Sequence, residues 1–415
     1  MNNYMQDGMA EATRLTRAGQ LAEATAMIQR TLAGAPSTNV PAQTAEPGSA
    51  AVPIEAEFRI LDDTSPARET SVGSVPHSRN TGGATATART ATPERTPFAD
   101  ALRFPGVMRG TTESMSPVTP YAVSSSTNAS GQFVQKAFTN MAGTRSYKLY
   151  IPSSYTGQEV PLVVMLHGCS QTSVNFAVGT RMNVLAEGET FLVAYPEQGS
   201  SANSSKCWNW FQDSDQKRDM GEPFLIAGIT QQVTSEYHVD VRRVYVAGLS
   251  SGGAMAAIMA ATYPDLYAAV GVHSGLAYGA AHDLPSALAA MRQGTRQRTR
   301  RLTESIPLIA FHGDGDTTVA PDNADRLLEQ WLQGTSNGQE SVRDVKVERG
   351  QVAKGHAYTR SIYHDSSGRA TIEKWMIHQS GHAWSGGSPS GLYTDPRGPD
   401  ASAEMVRFFN EHPKA

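Results

Sequence analysis

From residue 145 to residue 382 the chain runs through seven short apolar segments bounded by turn residues. They are RSYKLYIP (145–152), PLVVMLHG (161–168), FLVAYP (191–196), RRVYVAG (242–248), YAAVGVHSG (267–275), IPLIAFHG (306–313) and EKWMIHQSGH (373–382). Helical spacing covers 222–238, 251–263, 321–332 and 400–411. Strands this uniformly apolar have no solvent face, so helices must cover the sheet on both sides. That is the arrangement of a mostly parallel α/β sheet. It predicts one α/β domain over 131–415.

The residues before it read differently. Over 1–33, Met5, Met9, Ala12, Leu15, Leu21, Ala24, Ile28 and Leu32 recur mostly three or four apart, which predicts a helical hairpin. Its segment GQLAEATAMIQRTL resembles half of a tetratricopeptide-type unit, which cannot bury its apolar face alone. The hairpin is therefore expected to dock on the same chain, on a second copy or on a granule. Residues 34–130 are rich in Pro, Ala and Thr: 11 of the 23 prolines lie between Gly34 and Pro120, with no Cys or Trp, so a disordered linker is expected.

Charge and cysteine content exclude several partners. Lys and Arg number 35 against 39 Asp and Glu, so nothing draws the chain to nucleic acid. No stretch approaches the roughly 18–20 apolar residues of a membrane span, and the start MNNYMQDGMAEATRLTR lacks the apolar core of a secretory signal. Two cysteines, Cys169 and Cys207, are too few for a four-thiolate zinc site. No zinc-protease or dinucleotide fingerprint is present, so neither a metal nor an organic cofactor is expected.

Gly248-Leu249-Ser250-Ser251-Gly252 follows one apolar strand directly and opens a helix. A chain turning that sharply needs small flanking residues and leaves the Ser250 hydroxyl exposed in a strained backbone, the context of a nucleophile elbow. The alternative is a Ser/Gly helix cap in another α/β fold. A serine hydroxyl needs a base, and the base an orienting acid. Asp316, in HGDGDTTV after a strand, is preferred as the acid over Asp314 because the spacing His-Gly-x-x-Asp-x-x-Val matches the acid loop of serine hydrolases. Both aspartates could instead cap the helix near Pro321. His382, in the Gly-rich SGHAWSGG after the last strand, is the candidate base. His378 reads as a residue within that strand, His356 and His364 as hairpin residues, and His167 and His312 as partners of backbone. The chain order is then Ser, Asp, His.

Attack on an ester carbonyl creates an oxyanion that two preorganised N–H groups should meet. The residue after the nucleophile, Ser251, supplies one, and Cys169 in LHGCSQT is the natural source of the other. The alternative for that segment is a plain tight turn.

The motifs LHGCSQT, CWNWF, GLSSGG, HGDGDTTV and GHAWSGG, in this order, give the chain its family likeness. Over roughly residues 133–412 it resembles the polyhydroxybutyrate depolymerase family of α/β-hydrolase esterases, related to feruloyl and acetylxylan esterases. The resemblance implies the α/β-hydrolase fold, a triad of Ser250, Asp316 and His382, and an oxyanion hole at Cys169 and Ser251. It also implies a Cys169–Cys207 bridge, with two buried thiols as the alternative. Extracellular action follows from the resemblance, cytoplasmic action from the missing signal sequence.

The implied substrate is an ester: a hydroxyalkanoate polymer or oligomer, or a small ester. An aromatic-acid or acetyl ester of plant polysaccharide is the alternative. Family members that erode crystalline polyester carry a separate polymer-binding module, and none follows residue 412, which leaves soluble oligomers and amorphous polymer open. Trp208, Trp210 and Trp384 flank the expected site and are either a substrate wall or core anchors. Residues 279–304, with five arginines in MRQGTRQRTRR, read as a mobile cap or a solvated basic helix. A reading of another class makes the chain a non-catalytic granule- or protein-binding adaptor; loss of a triad residue would mark it.

Overall fold

The structure is a computed structural model that describes residues 131–295, 299–335 and 344–414. The hairpin expected over 1–33 and the linker expected over 34–130 lie outside the described residues.

Ten strands form one sheet: β1 (Gln132–Asn140), β2 (Gly143–Ile151), β3 (Val160–Leu166), β4 (Leu192–Pro196), β5 (Val239–Leu249), β6 (Ala269–His273), β7 (Leu308–Gly313), β8 (Asp344–Gln351), β9 (Ala357–His364) and β10 (Ala370–Ile377). Their spatial order is β1-β2-β4-β3-β5-β6-β7-β10-β9-β8. The six strands from β4 to β10 pair in parallel. Antiparallel hairpins extend the sheet at both ends. Outside the sheet, β11 (Trp384–Ser385) and β12 (Thr394–Asp395) pair with each other.

Successive side chains of a strand point to opposite faces, and here both faces are covered. On β3, Leu162, Val164 and Leu166 enter one core while Val163 and Met165 enter the other. The first core takes up α3 (Gly221–Glu236), α4 (Ser251–Thr262) and, through Leu327 and Trp331, α6 (Asp322–Thr335). The second takes up α1 (Ser173–Thr180), α2 (Met182–Glu189) and α7 (Ala401–Glu411) through Phe176, Met182, Met405 and Phe408. The apolar runs of the sequence are continuous because neither face of these strands meets water.

Helix α5 (Leu284–Gln293) begins at Asp283, whose carboxylate accepts the Ser286 N–H in a capping box. It lies within the segment expected to be a cap or a basic helix, of which residues 296–298 are outside the described residues. Strand β10 ends at Ile377, so His378 lies just beyond the strand that was expected to contain it. The chain turns there: Gln379 has φ 63° and its N–H donates to the Asp314 carboxylate.

Candidate active site

Ser250 sits between β5 and α4 with φ 57° and ψ −119°, a conformation that L-residues adopt only under constraint. Its N–H donates to the His273 carbonyl at 2.9 Å, fixing the turn against β6. The flanking glycines are required by space: a Cβ on Gly248 would meet the Gly252 carbonyl oxygen at 2.3 Å, and one on Gly252 would meet the Leu166 oxygen at 2.1 Å. The strand, turn and helix therefore close on each other only with hydrogen at both positions. The Ser251 N–H, in the first turn of α4, has no acceptor within its own helix and lies at the positive end of the dipole.

Asp316 follows β7. Its Oδ1 accepts the N–H groups of Thr318 and Val319, both at 2.9 Å, and its Oδ2 lies 2.7 Å from Nδ1 of His382. Nε2 of His312 is 3.4 Å from the same Oδ2 and 2.9 Å from the Val319 oxygen. Burial opposes charge on Asp316, but the two imidazoles outweigh it and hold the carboxyl well below the usual carboxylate range. It is thus an anion fixed on Nδ1–H of His382, which leaves Nε2 as the acceptor.

Ser250 and His382 line one open recess, together with Gly168, Cys169, Leu249 and Tyr393. The expected nucleophile, base and oxyanion loop are brought together there, with Asp316 behind His382. Asp314, the rival acid, is engaged elsewhere: its Oδ2 is 2.8 Å from Nδ1 of His378.

The loop that carries Cys169 is anchored from behind. Cys169 and Cys207 are joined in a disulfide, and the Ser170 N–H donates to the Ser205 oxygen at 2.7 Å. His167 accepts the Gln198 N–H on Nε2 at 3.0 Å, and the Trp208 Nε1–H donates to the His167 oxygen at 3.1 Å. Buried Glu222 accepts the backbone and side-chain N–H groups of Asn209 at 2.7 and 2.8 Å, and Arg145 approaches it at 3.8 Å. Burial, with the Asp215 carboxylate beside it, pushes Glu222 up to about 7.

Trp208, Trp210 and Trp384 are core residues, nearly inaccessible, and none is among the residues lining the recess. Trp384 stacks on His273 and donates its Nε1–H to Ser402. The aromatic residue at the recess is Tyr393, which none of the sequence motifs contains. Arg300 of the basic segment is paired with Asp213, 2.5 Å away. Among the described residues no cluster of three or more His, Cys, Asp or Glu is placed to hold a metal ion, and no helix is long and apolar enough to cross a membrane.

Comparison with known proteins finds several esterases. The family model described as esterase PHB depolymerase matches residues 145–343. Poly(3-hydroxyalkanoate) depolymerase C of Paucimonas lemoignei is 32% identical over 273 residues, which is 63% of this chain and 63% of that protein. Feruloyl esterase B of Neurospora crassa is 30% identical over 257 residues, 58% of this chain and 84% of that protein. Acetylxylan esterase A of Aspergillus ficuum is 30% identical over 210 residues, 46% of this chain and 68% of that protein. Among solved structures, an acetyl xylan esterase from Aspergillus awamori superposes with a TM-score of 0.53 at 21% identity, covering 67% of this chain and 99% of that one. That likeness shows the α/β-hydrolase fold expected from the sequence. The chain spans a little under two thirds of the depolymerase's length.

Proposed function

From the premise that this chain belongs to the PHB-depolymerase family of esterases, we propose that it hydrolyses carboxylic esters through an acyl-enzyme, with Ser250, His382 and Asp316 as its triad. Ser250 Oγ attacks the ester carbonyl while Nε2 of His382 takes its proton. Asp316 keeps the imidazole in the tautomer with Nδ1 protonated and stabilises the cation that forms. The N–H groups of Cys169 and Ser251 meet the oxyanion. Collapse of the tetrahedral intermediate breaks the bond to the alcohol, which leaves with the proton from His382. Water, deprotonated by the same imidazole, then releases the acid and restores Ser250.

The observation that carries this reading is the recess: Ser250 and His382 line it together, and the imidazole is held from behind by a buried carboxylate at 2.7 Å. The preferred substrate is an oligomer or polymer of 3-hydroxybutyrate, supported by the identity to the P. lemoignei depolymerase. An ester of ferulic or acetic acid on plant polysaccharide is the second reading, supported by the larger share of feruloyl esterase B that the chain covers.

The test compares rates on a hydroxybutyrate trimer and on methyl ferulate, with Ser250→Ala as the blank. Faster cleavage of the trimer supports the polyester reading and faster cleavage of ferulate the second. Turnover retained by Ser250→Ala on a short acyl ester would overturn the assignment of the nucleophile.

A further inference from the structure

Tyr393 belongs to the loop that leads from His382 to α7, yet it reaches the oxyanion loop 223 residues earlier in the chain. The loop is seated there by several contacts. Gln171 Nε2 donates to the Leu392 oxygen at 2.8 Å, the Leu392 N–H donates to Asn175 Oδ1 at 3.1 Å, and the Ser388 N–H donates to the Gly179 oxygen at 2.8 Å. The Tyr393 oxygen accepts the Trp384 N–H at 2.7 Å, two residues after His382. Tyr393 itself has φ 55°, a left-handed conformation that the seated loop must hold in place.

Its side chain does two things at once. The residue lines the recess with Ser250, His382 and Cys169. Its phenol oxygen is 3.2 Å from Ser170 Oγ, and that hydroxyl donates its one proton to the Cys169 oxygen at 2.6 Å. The phenol is therefore the donor to Ser170, and the chain Tyr393, Ser170, Cys169 steadies the peptide next to the proposed oxyanion N–H.

The lining of the recess supplies the second half of the argument. Among Gly168, Cys169, Leu249, Ser250, His382 and Tyr393, Tyr393 carries the largest side chain, so its ring does most to set the room an acyl group finds beside Ser250.

Resting on the esterase reading above, we infer that Tyr393 is the acyl-selecting residue of this site, its ring limiting the acyl group to short chains of the acetyl to hydroxybutyryl class and its hydroxyl positioning the oxyanion loop. The experiment measures kcat and KM for p-nitrophenyl acetate, butyrate and octanoate, which share one leaving group, on wild type, Tyr393→Phe, Tyr393→Leu and Tyr393→Ala. Wild type should favour acetate and butyrate. Tyr393→Ala should raise kcat/KM for octanoate relative to acetate by about tenfold, mainly through KM, and Tyr393→Leu by less. Tyr393→Phe should keep the chain-length profile and lose several-fold in kcat on all three esters. If Tyr393→Ala fails to fold, as judged by circular dichroism, Tyr393→Leu carries the size test. An unchanged profile in the folded smaller variants overturns the acyl limit, and an unchanged kcat in Tyr393→Phe overturns the positioning role. Wild-type turnover no faster than that of Ser250→Ala on every ester overturns the esterase reading itself and this inference with it.

Discussion

Asp314 and His378 form a carboxylate–imidazole pair, Oδ2 to Nδ1 2.8 Å, beside the pair made by Asp316 and His382. With Nδ1–H directed at the carboxylate, Nε2 of His378 accepts the Thr359 hydroxyl at 2.9 Å. The second Asp314 oxygen accepts the Gln379 N–H at 2.6 Å, and the Gly315 N–H donates to the Ser380 oxygen at 3.0 Å. Two aspartates that spacing alone could hardly separate thus do different work. Asp316 holds His382 directly, and Asp314 stitches the acid loop to the backbone that leads to His382.

Replacing each aspartate should separate the roles. Asp316→Asn should lower kcat on the order of 10⁴-fold, because an amide no longer fixes the tautomer of the base. Asp314→Asn keeps an acceptor for the Gln379 N–H and should cost only several-fold in kcat with KM unchanged. Steady-state kinetics on one short ester decides the matter, and comparable losses in the two variants would contradict this division.

Gly252→Ala should cost stability before activity is considered. The added methyl would lie 2.1 Å from the Leu166 oxygen and 2.5 Å from that of His167, both of them backbone atoms of the neighbouring strand end. Neither can move without breaking the β3–β5 pairing, so a loss of at least about 2 kcal/mol is expected. A urea midpoint equal to that of wild type would show that the turn does not pack as described.

What the sequence disclosed follows from which side chains are local. Ser250 was legible because strand, G-x-S-x-G and helix are contiguous, and the central strands because both their faces are buried. Strand β1 was missed: it lies at the sheet edge and alternates between exposed and half-buried positions. Helices α1 and α2 were missed as well, two short helices joined at Arg181, whose φ of 56° breaks the helical period. The three tryptophans show the opposite limit. A sequence reveals that a loop carries an aromatic ring but not whether the loop is folded inward, and here all three rings are buried. Tyr393 and Asp314 owe their places to contacts across 223 and 64 residues, which no local pattern reports.

The disulfide should matter to stability and turnover together. Cys169 and Cys207 are 38 residues apart, and closing a loop of that length removes chain entropy worth about 3 to 4 kcal/mol from the unfolded state. It also tethers Cys169, whose N–H we propose meets the oxyanion. Cys207→Ser should therefore lower the urea midpoint and reduce kcat, with KM little changed. Equal kcat in the reduced and oxidised enzyme would place the bridge outside the chemistry and leave it a purely structural link.

Acid should unfold this protein through two buried imidazoles. Burial drives His167 down to about 4 and His273 down to about 3. Each is a neutral acceptor in the fold, His167 Nε2 for the Gln198 N–H and His273 Nε2 for the Ser385 N–H, both at 3.0 Å, so a proton there would face a donor. Unfolded, both titrate near about 6.5. Because their folded values are depressed, the stability of the neutral form is complete above about 6.5 and is lost as pH falls toward the folded values. The unfolded chain then binds two protons that the fold does not. Glu222 works the other way. Its folded value of about 7 means that the fold keeps a proton the unfolded chain releases above about 4.5. Between pH 6 and 5 the net difference approaches one proton, a loss of about 1.4 kcal/mol per pH unit. Below about 4.5 the Glu222 contribution fades, but His167 then begins to take up its own proton in the fold, so the slope should stay near one proton down to pH 4. Urea unfolding at half-unit steps from pH 7.5 to 4 measures this, and His273→Gln, whose side-chain oxygen can accept the Ser385 N–H, should remove about one proton from the slope. A stability that stays level down to pH 4.5, or a slope untouched by that substitution, would mean that His273 is not the buried neutral acceptor described here.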